Sequence, residues 1–153
     1  MQFVRSARKS YEKGGVRVFL GEYRYSLDAK SRVFIPVPFR EELGNEFILC
    51  KGLDRSIRLY PLGSWSKFVE KLCDLPDAEA QEIKLFFFAS ARQVSLDTQG
   101  RLLISQIYRE HAGIEHDVCV LGNNNRAEIW AAEAWDSFKD SKSIKEQMIK
   151  LGV

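Results

Sequence analysis

The chain of 153 residues is 45% hydrophobic and 29% charged, which is typical of a soluble protein with one domain or two small ones. Its longest apolar run, Leu85–Ala89, is far shorter than the roughly 20 residues that a membrane-spanning helix needs. The first residues also lack the pattern of a secretory signal. We therefore exclude a membrane protein and expect a cytoplasmic one.

The net charge of +2 is unevenly distributed along the chain. The first 20 residues carry a charge of +4, which leaves −2 for the remainder. DNA binding must therefore rest on local basic clusters rather than on global charge. We predict that residues 1–17 form a basic, disordered extension, or that translation truly starts near Val18.

The predicted elements form two similar series in chain order. Each series contains two short β-prone runs joined by a polar turn, which suggests a hairpin, then a short helix ended by a glycine, then two more strands. The first series comprises 23–27, 32–35, 37–43 with Gly44, 47–50 and 57–60. The second comprises 92–96, 101–104, 106–112 with Gly113, 117–121 and 127–130.

Longer helices are predicted after each series. Ser64 can cap a helix that follows Pro61, and a second helix begins at Pro76–Asp77 and links the two series. Residues 131–150 are predicted to form the corresponding helical segment at the carboxyl end.

An internal duplication is the strongest feature of the sequence. Eight residues of the first series recur 69 positions later: Ser26, Leu27, Asp28, Arg32, Ile35, Arg40, Glu41 and Gly44. After one inserted residue the match continues at a spacing of 70, with Gly52 matching Gly122, Tyr60 matching Trp130 and Trp65 matching Trp135. So many identities in register indicate two copies of one motif.

The duplication predicts the fold and its divisions. A unit of about 40 residues with four short strands cannot bury a full core alone, whereas two units with similar apolar faces can close against each other. We predict an α+β protein, a pseudo-twofold β-barrel with helices outside it. We divide it into a first repeat at 18–74, a linking helix at 75–90 and a second repeat at 91–153.

The turn in each copy has the pattern Asp-x-x-(Ser/Gly)-Arg. An aspartate at the start of a turn accepts hydrogen bonds from backbone amides just downstream, and glycine readily adopts positive φ near its end. Lys30 and Arg32 would share one face of a strand, with Gln99 and Arg101 repeating that placement. Guanidinium groups on two matched loops suit phosphates or guanine edges of a duplex. Alternatively, the aspartates only nucleate a hairpin and the arginines pair with them or with another carboxylate.

These residues resemble the MraZ family, within the AbrB-like swapped-hairpin superfamily. The resemblance covers about residues 18–140. It rests on these motifs: Gly21-Glu22-Tyr23, Ser-Leu-Asp-x-Lys-x-Arg with Ile35-Pro36, Leu59-Tyr60-Pro61 before Trp65, Asp97-x-Gln99-Gly100-Arg101, and Glu128-Ile129-Trp130 before Trp135.

The resemblance implies a sequence-specific transcriptional regulator at the nucleoid. Family members bind repeats in the promoter of the division and cell-wall gene cluster and assemble into rings of identical subunits. By matched position, the implied contacts to double-stranded DNA come from Lys30, Arg32, Gln99 and Arg101, while Asp28, Asp97 and Gly100 brace the loops. Ser31 stands where the family usually has glycine. Either it strains the first loop modestly, or the position does not require positive φ.

Other functional classes have weaker support. The spacing of His111 and His116 does not place two zinc ligands on one helix face, and there is no nucleophile elbow or phosphate-cradling glycine loop. Cys50, Cys73 and Cys119 form no C-x-x-C pair, and two of them lie in apolar runs typical of a core. We predict no enzyme, no metal site and no cofactor. The remaining alternative is an assembly module of the same fold that does not bind DNA, with an interface at the aromatic helices around Trp65, Phe86–Phe88 and Trp135.

Overall fold

The computed structural model describes residues 18–153, so the predictions for residues 1–17 concern residues outside the described range. The described chain is an α+β protein with six helices and two antiparallel sheets. In order, its elements are β1 Glu22–Ser26, β2 Arg32–Phe34, α1 Val37–Leu43, β3 Phe47–Lys51, β4 Ile57–Pro61, α2 Leu62–Cys73, α3 Asp77–Ser90, β5 Arg92–Val94, β6 Arg101–Leu103, α4 Gln106–Ala112, β7 Asp117–Asn123, β8 Arg126–Ala131, α5 Ala132–Lys139 and α6 Lys142–Leu151. None of the helices in this part of the chain has the length and apolar character needed to cross a bilayer.

The two repeats exchange their first strands. The main sheet has the order β1-β7-β8-β4-β3-β5, so β1 pairs with the third strand of the second repeat and β5 pairs with the third strand of the first. The second strands, β2 and β6, form a separate two-stranded sheet. The predicted hairpin between residues 23–27 and 32–35 is therefore wrong, as is its counterpart in the second copy. A polar turn does join these runs, but each run pairs with the other repeat.

The two sheets share one apolar core. Val33 and Leu102, at the centre of the small sheet, are each 1% exposed and pack in one cluster with Leu59 and Ile129 of the main sheet. Side chains alternate between the two faces of a strand, so Val33 and Leu102 point into the core while their neighbours along β2 and β6 point outward. The main sheet ends at β1 and β5, and no strand pairing within residues 18–153 joins these edges into the expected barrel.

Helices cover the outer face of the main sheet. In the first repeat, α2 and α3 pack Phe68 and Phe87 against Tyr60, and in the second repeat α5 packs Trp135 against Trp130. Cys50 and Cys119 are buried as free thiols beneath these helices, as the sequence predicted, and burial raises the pKa of Cys50 to about 12. Of the aromatic residues considered for an interface, Phe86 and Phe88 remain 39% and 38% exposed.

Two details of the predicted helices are wrong. Ser64 is buried inside α2 and caps nothing, because the helix already begins after Pro61. The carboxyl segment forms two helices instead of one, since Ser141 starts a new helix by accepting a hydrogen bond from Ile144 N–H at 3.4 Å.

Candidate nucleic-acid interface

The ladder between β2 and β6 brings the two Asp-x-x-x-Arg loops together. Val33 lies opposite Leu102 on the pseudo-twofold axis, so Arg32 faces Leu103 and Phe34 faces Arg101. The backbone also ties each repeat to the loop of the other. Ile35 N–H donates to the carbonyl of Gly100 at 3.0 Å, and Ile104 N–H donates to the carbonyl of Ser31 at 2.9 Å. The loops therefore form one continuous surface.

Each loop is closed by its aspartate. Asp28 Oδ1 accepts hydrogen bonds from the backbone N–H groups of Lys30 and Arg32, both at 2.9 Å. Asp97 Oδ1 accepts the matching pair from Gln99 and Arg101, also at 2.9 Å. The same aspartate therefore fixes the same turn in both copies.

Both loops require a left-handed residue before the arginine. Gly100 has a φ of +79°, and Ser31 has a φ of +61°. Of the two interpretations considered for Ser31, strain in the first loop is therefore the one that holds, because L side chains rarely adopt this region.

The pKa of each loop aspartate is lowered. For Asp28 the largest cause is the hydrogen bond from the backbone N–H of Arg32, with Lys30 N–H and the Arg32 guanidinium adding to it against a smaller opposing effect of burial. The pKa of Asp97 is lowered mainly by the backbone N–H of Arg101 in the same way. Both groups therefore stay ionised at neutral pH and hold their arginines.

The two arginines and two aspartates form one ion network across the axis. Arg32 Nε donates to Asp28 Oδ2 at 2.8 Å, and Arg101 Nε donates to Asp97 Oδ2 at 2.9 Å. Each Nη1 atom also lies 3.8 Å from the aspartate of the other repeat. The arginines thus pair with carboxylates, as the alternative interpretation held. They remain 26% and 21% exposed and project from the same sheet face.

Lys30 and Gln99 lie in the turns, because β2 begins at Arg32 and β6 at Arg101. The expectation that Lys30 shares a strand face with Arg32 is therefore wrong. Both side chains are exposed, and Lys30 makes no ion pair with any described residue. Lys30 is consequently an uncompensated positive charge at the loop tip.

Apolar side chains lie between the arginines. Phe34 is 46% exposed and Leu103 is 59% exposed on the outer face of the small sheet. The Arg101 guanidinium carbon lies 6.0 Å from the centroid of the Phe34 ring, a distance at which a cation and an aromatic face attract. The surface therefore combines guanidinium groups with apolar contacts.

The sequence interpretation missed two further arginines, Arg40 and Arg109. Arg40 Nε donates to the carbonyl of Ile35 at 2.6 Å, and Arg109 Nη1 donates to that of Ile104 at 2.5 Å. Neither makes an ion pair with another described residue. A Cβ built on Gly100 would lie 2.3 Å from the guanidinium carbon of Arg40, so Arg40 packs directly against the second loop. Their recurrence at a spacing of 69 was the signal that could have identified them.

The histidines do not form a site. His111 Nε2 lies 3.1 Å from the carbonyls of both Gly52 and Ser56, and His116 is 71% exposed beside Asp117. Within residues 18–153, no group of His, Cys, Asp and Glu side chains has an arrangement that could hold a metal ion.

Comparison with known proteins agrees with the duplication. The family model described as "MraZ protein, putative antitoxin-like" matches the chain twice, over residues 18–85 and 87–150. The transcriptional regulator MraZ of Acetivibrio thermocellus is 46% identical over 143 residues, which cover 89% of this chain and 100% of that protein. The regulators of the same name from Clostridium acetobutylicum and Syntrophomonas wolfei are 45% and 41% identical, each with coverage of 89% and 100%. The chain therefore belongs to the MraZ family of transcriptional regulators, which is not a family of enzymes.

Proposed function

We propose that the outer face of the small sheet and its two loops bind double-stranded DNA in a sequence-specific manner. The proposed targets are promoter repeats upstream of the division and cell-wall gene cluster. The main observation that supports this proposal is the pairing of β2 with β6, because it brings both loops and the exposed Lys30 and Gln99 to one surface. This assignment also places the protein in the cytoplasm, at the nucleoid.

The ion network suggests how the arginines act. With Nε engaged by the aspartate of its own loop and Nη1 at 3.8 Å from that of the other repeat, each guanidinium keeps its Nη2 atom for a phosphate or for O6 or N7 of a guanine. The aspartates hold the side chains in place before binding, which lowers the entropy lost on contact. Lys30 would contact a phosphate as a point charge, Gln99 would hydrogen-bond a base or phosphate, and Gly100 permits the close packing of Arg40.

The adjacency of the loops supports an assembly. Because both loops of one chain form a single surface, one subunit contacts one short DNA segment. Tandem promoter repeats then require several subunits with their loop surfaces on the same side, spaced by turns of the double helix. A ring of identical subunits meets this requirement. We also propose that the two sheets, which share one core, act as a pseudo-twofold barrel supporting the loops.

The test uses the full chain and a duplex from immediately upstream of its own gene, with a scrambled duplex for comparison. We expect affinity for the promoter duplex to fall steeply with salt, because neutralised phosphates release counterions. The salt slope is the slope of the logarithm of the affinity against the logarithm of the salt concentration. In the double variant Arg32→Lys/Arg101→Lys, we expect this slope to persist. Preference over the scrambled duplex should fall by about 1–3 kcal/mol per lost base contact.

Arg24→Lys is the matched control, because Arg24 is also ion-paired, with Asp136, but lies on β1 away from the small sheet. It should leave the preference unchanged. Retained preference in a folded, assembled double variant would show that the arginines do not read bases. Absence of salt-sensitive binding by the unaltered protein would overturn DNA binding and favour the assembly module.

A further inference from the structure

We propose that a cleft on the outer face of the main sheet binds a small carboxylate with an apolar body. The cleft has a volume of about 410 Å³, within the range usual for small-molecule sites, and lies between the two repeats. Along β4, Ile57 and Leu59 face the core shared with the small sheet, whereas Arg58 faces the cleft. The cleft and the loop surface are therefore on opposite sides of the main sheet.

Arg58 is a buried positive charge in this cleft. It is only 8% exposed, its Nη1 donates to the hydroxyl of Tyr60 at 3.2 Å, and its Nε has no acceptor. No carboxylate of the described residues forms an ion pair with it, and Asp54 at the cleft is exposed to solvent. The guanidinium carbon of Arg58 lies 5.1 Å from the centroid of the Phe87 ring and 5.8 Å from that of Phe68, so these aromatic faces offset part of its charge. A guanidinium cannot lose its proton in a protein, and its buried charge stays costly where no anion neutralises it. An anion in the cleft would offset that cost.

Glu128 cannot supply this anion, although it lies directly opposite Arg58 in the β4–β8 ladder. Its Oε2 accepts hydrogen bonds from Asn123 at 2.7 Å and Arg126 at 2.9 Å, and its Oε1 accepts one from Trp130 at 3.0 Å. Burial acts to raise the pKa of Glu128, but these donors hold it below its ordinary value. The charges of Glu128 and Arg126 thus neutralise each other, and the charge of Arg58 is left without a carboxylate partner among the described residues.

A second unsatisfied donor lines the same cleft. Trp135 Nε1 is buried and has no acceptor, while Leu121, Trp130 and Phe138 provide apolar walls. A carboxylate offers only acceptor atoms and pairs with guanidinium in a charge-assisted contact. The two free donors and the apolar walls together fit a ligand with a carboxylate at one end and an aromatic or branched aliphatic group at the other.

Phenylacetate is the probe, with phenylacetamide as its neutral counterpart of the same shape. Binding to the full chain is measured by calorimetry and by the fluorescence of the cleft tryptophans. We expect phenylacetate to bind at least about tenfold more tightly than phenylacetamide, because only the former makes a charge-assisted contact. Arg58→Gln should remove this discrimination. Trp135→Phe, which replaces the indole with a smaller ring that has no N–H donor, should weaken the binding of phenylacetate several-fold.

Trp65→Phe is the matched control, since Trp65 occupies the equivalent position in the first repeat and does not line the cleft. It should leave phenylacetate binding unchanged. Equal affinity for the two probes, or undiminished binding of phenylacetate by Trp135→Phe, would overturn the proposal. Binding that appears only when dilution dissociates the assembly would overturn it too, because the cleft would then be filled by a second copy of the chain.

Discussion

In the first loop Ser31 adopts a φ of +61°, and in the second loop Gly100 adopts +79°, yet both loops close with the same hydrogen bonds to their aspartates. The differences lie in the side chains. Lys30 corresponds to Gln99 at the exposed tip, and Phe34 corresponds to Leu103 on the outer sheet face. The duplication has therefore kept the backbone and the ion network while diversifying the side chains available to a ligand.

The two arginines behind the loops differ in a related way. Arg40 approaches Ile35 through Nε and lies against Gly100, whereas Arg109 approaches Ile104 through Nη1. By the pseudo-twofold relationship, Ser31 is the residue that stands opposite Arg109. Glycine at position 100 thus combines a left-handed backbone with close packing against Arg40, whereas the corresponding Ser31 combines a left-handed backbone with a side chain.

Among the substitutions that test the comparison of the two loops, Gly100→Ala is expected to have the largest effect, a loss of stability. The new Cβ would meet the Arg40 guanidinium at 2.3 Å and would stand on a residue with a φ of +79°. Left-handed strain costs about 1–2 kcal/mol and loss of the Arg40 hydrogen bond about 1 kcal/mol, whereas the lower freedom of alanine in the unfolded chain offsets about 0.5–1 kcal/mol. The free energy of unfolding should therefore fall by roughly 2 kcal/mol. Urea denaturation measures this as a lower midpoint with an unchanged slope.

Ser31→Ala is the control for that substitution, because position 31 already carries a Cβ. It should change the free energy of unfolding by no more than about 0.5 kcal/mol. Equal destabilisation by the two alanines would mean that contact with Arg40 does not distinguish the loops.

The sequence predicted local elements well and strand partners poorly. The strand β3 lies where its apolar run indicated, and the short helices α1 and α4 lie where the ending glycines indicated, since those signals are encoded within each segment. The pairing of β1 with β7 could not be predicted from the polar turn after β1, because the choice of partner depends on a strand about 90 residues away.

The candidate site was predictable only in part for the same reason. The repeated turn identified Asp28, Arg32 and their counterparts, and the aspartate hydrogen bonds follow from turn chemistry. The contacts of each arginine with the opposite aspartate arise from the β2–β6 ladder, which no local pattern specifies. Arg40 was missed because its role depends on packing against a loop of the other repeat.

If the loops bind DNA as proposed, changing the charge at either loop tip should have a smaller effect, on the affinity for DNA. Lys30→Gln should weaken binding to promoter and scrambled duplexes alike, on the order of 1 kcal/mol or less, and should reduce the salt slope by about 1. Gln99→Lys should raise the slope by about the same amount, since it places a lysine at the matched tip. Fluorescence anisotropy over a salt series measures both.

The double variant Lys30→Gln/Gln99→Lys keeps the net charge and should return the slope close to its original value. A slope that responds to position 30 but not to position 99 would mean that only the first loop contacts phosphates. Both side chains are exposed, so none of these variants should change the midpoint of unfolding appreciably.

The smallest effect is expected from Ser31→Gly, which makes the two loops alike at this position. Glycine removes the left-handed strain of serine, about 1–2 kcal/mol, but also gives the unfolded chain more freedom, which costs roughly 0.5–1 kcal/mol. The free energy of unfolding should therefore rise by roughly 0.5 kcal/mol, and Ser31→Asn should fall between serine and glycine because asparagine tolerates this region better. Stability that falls in the order serine, asparagine, glycine would instead show that the first loop holds its φ of +61° without strain, and that the difference between the repeats at this position has no energetic consequence.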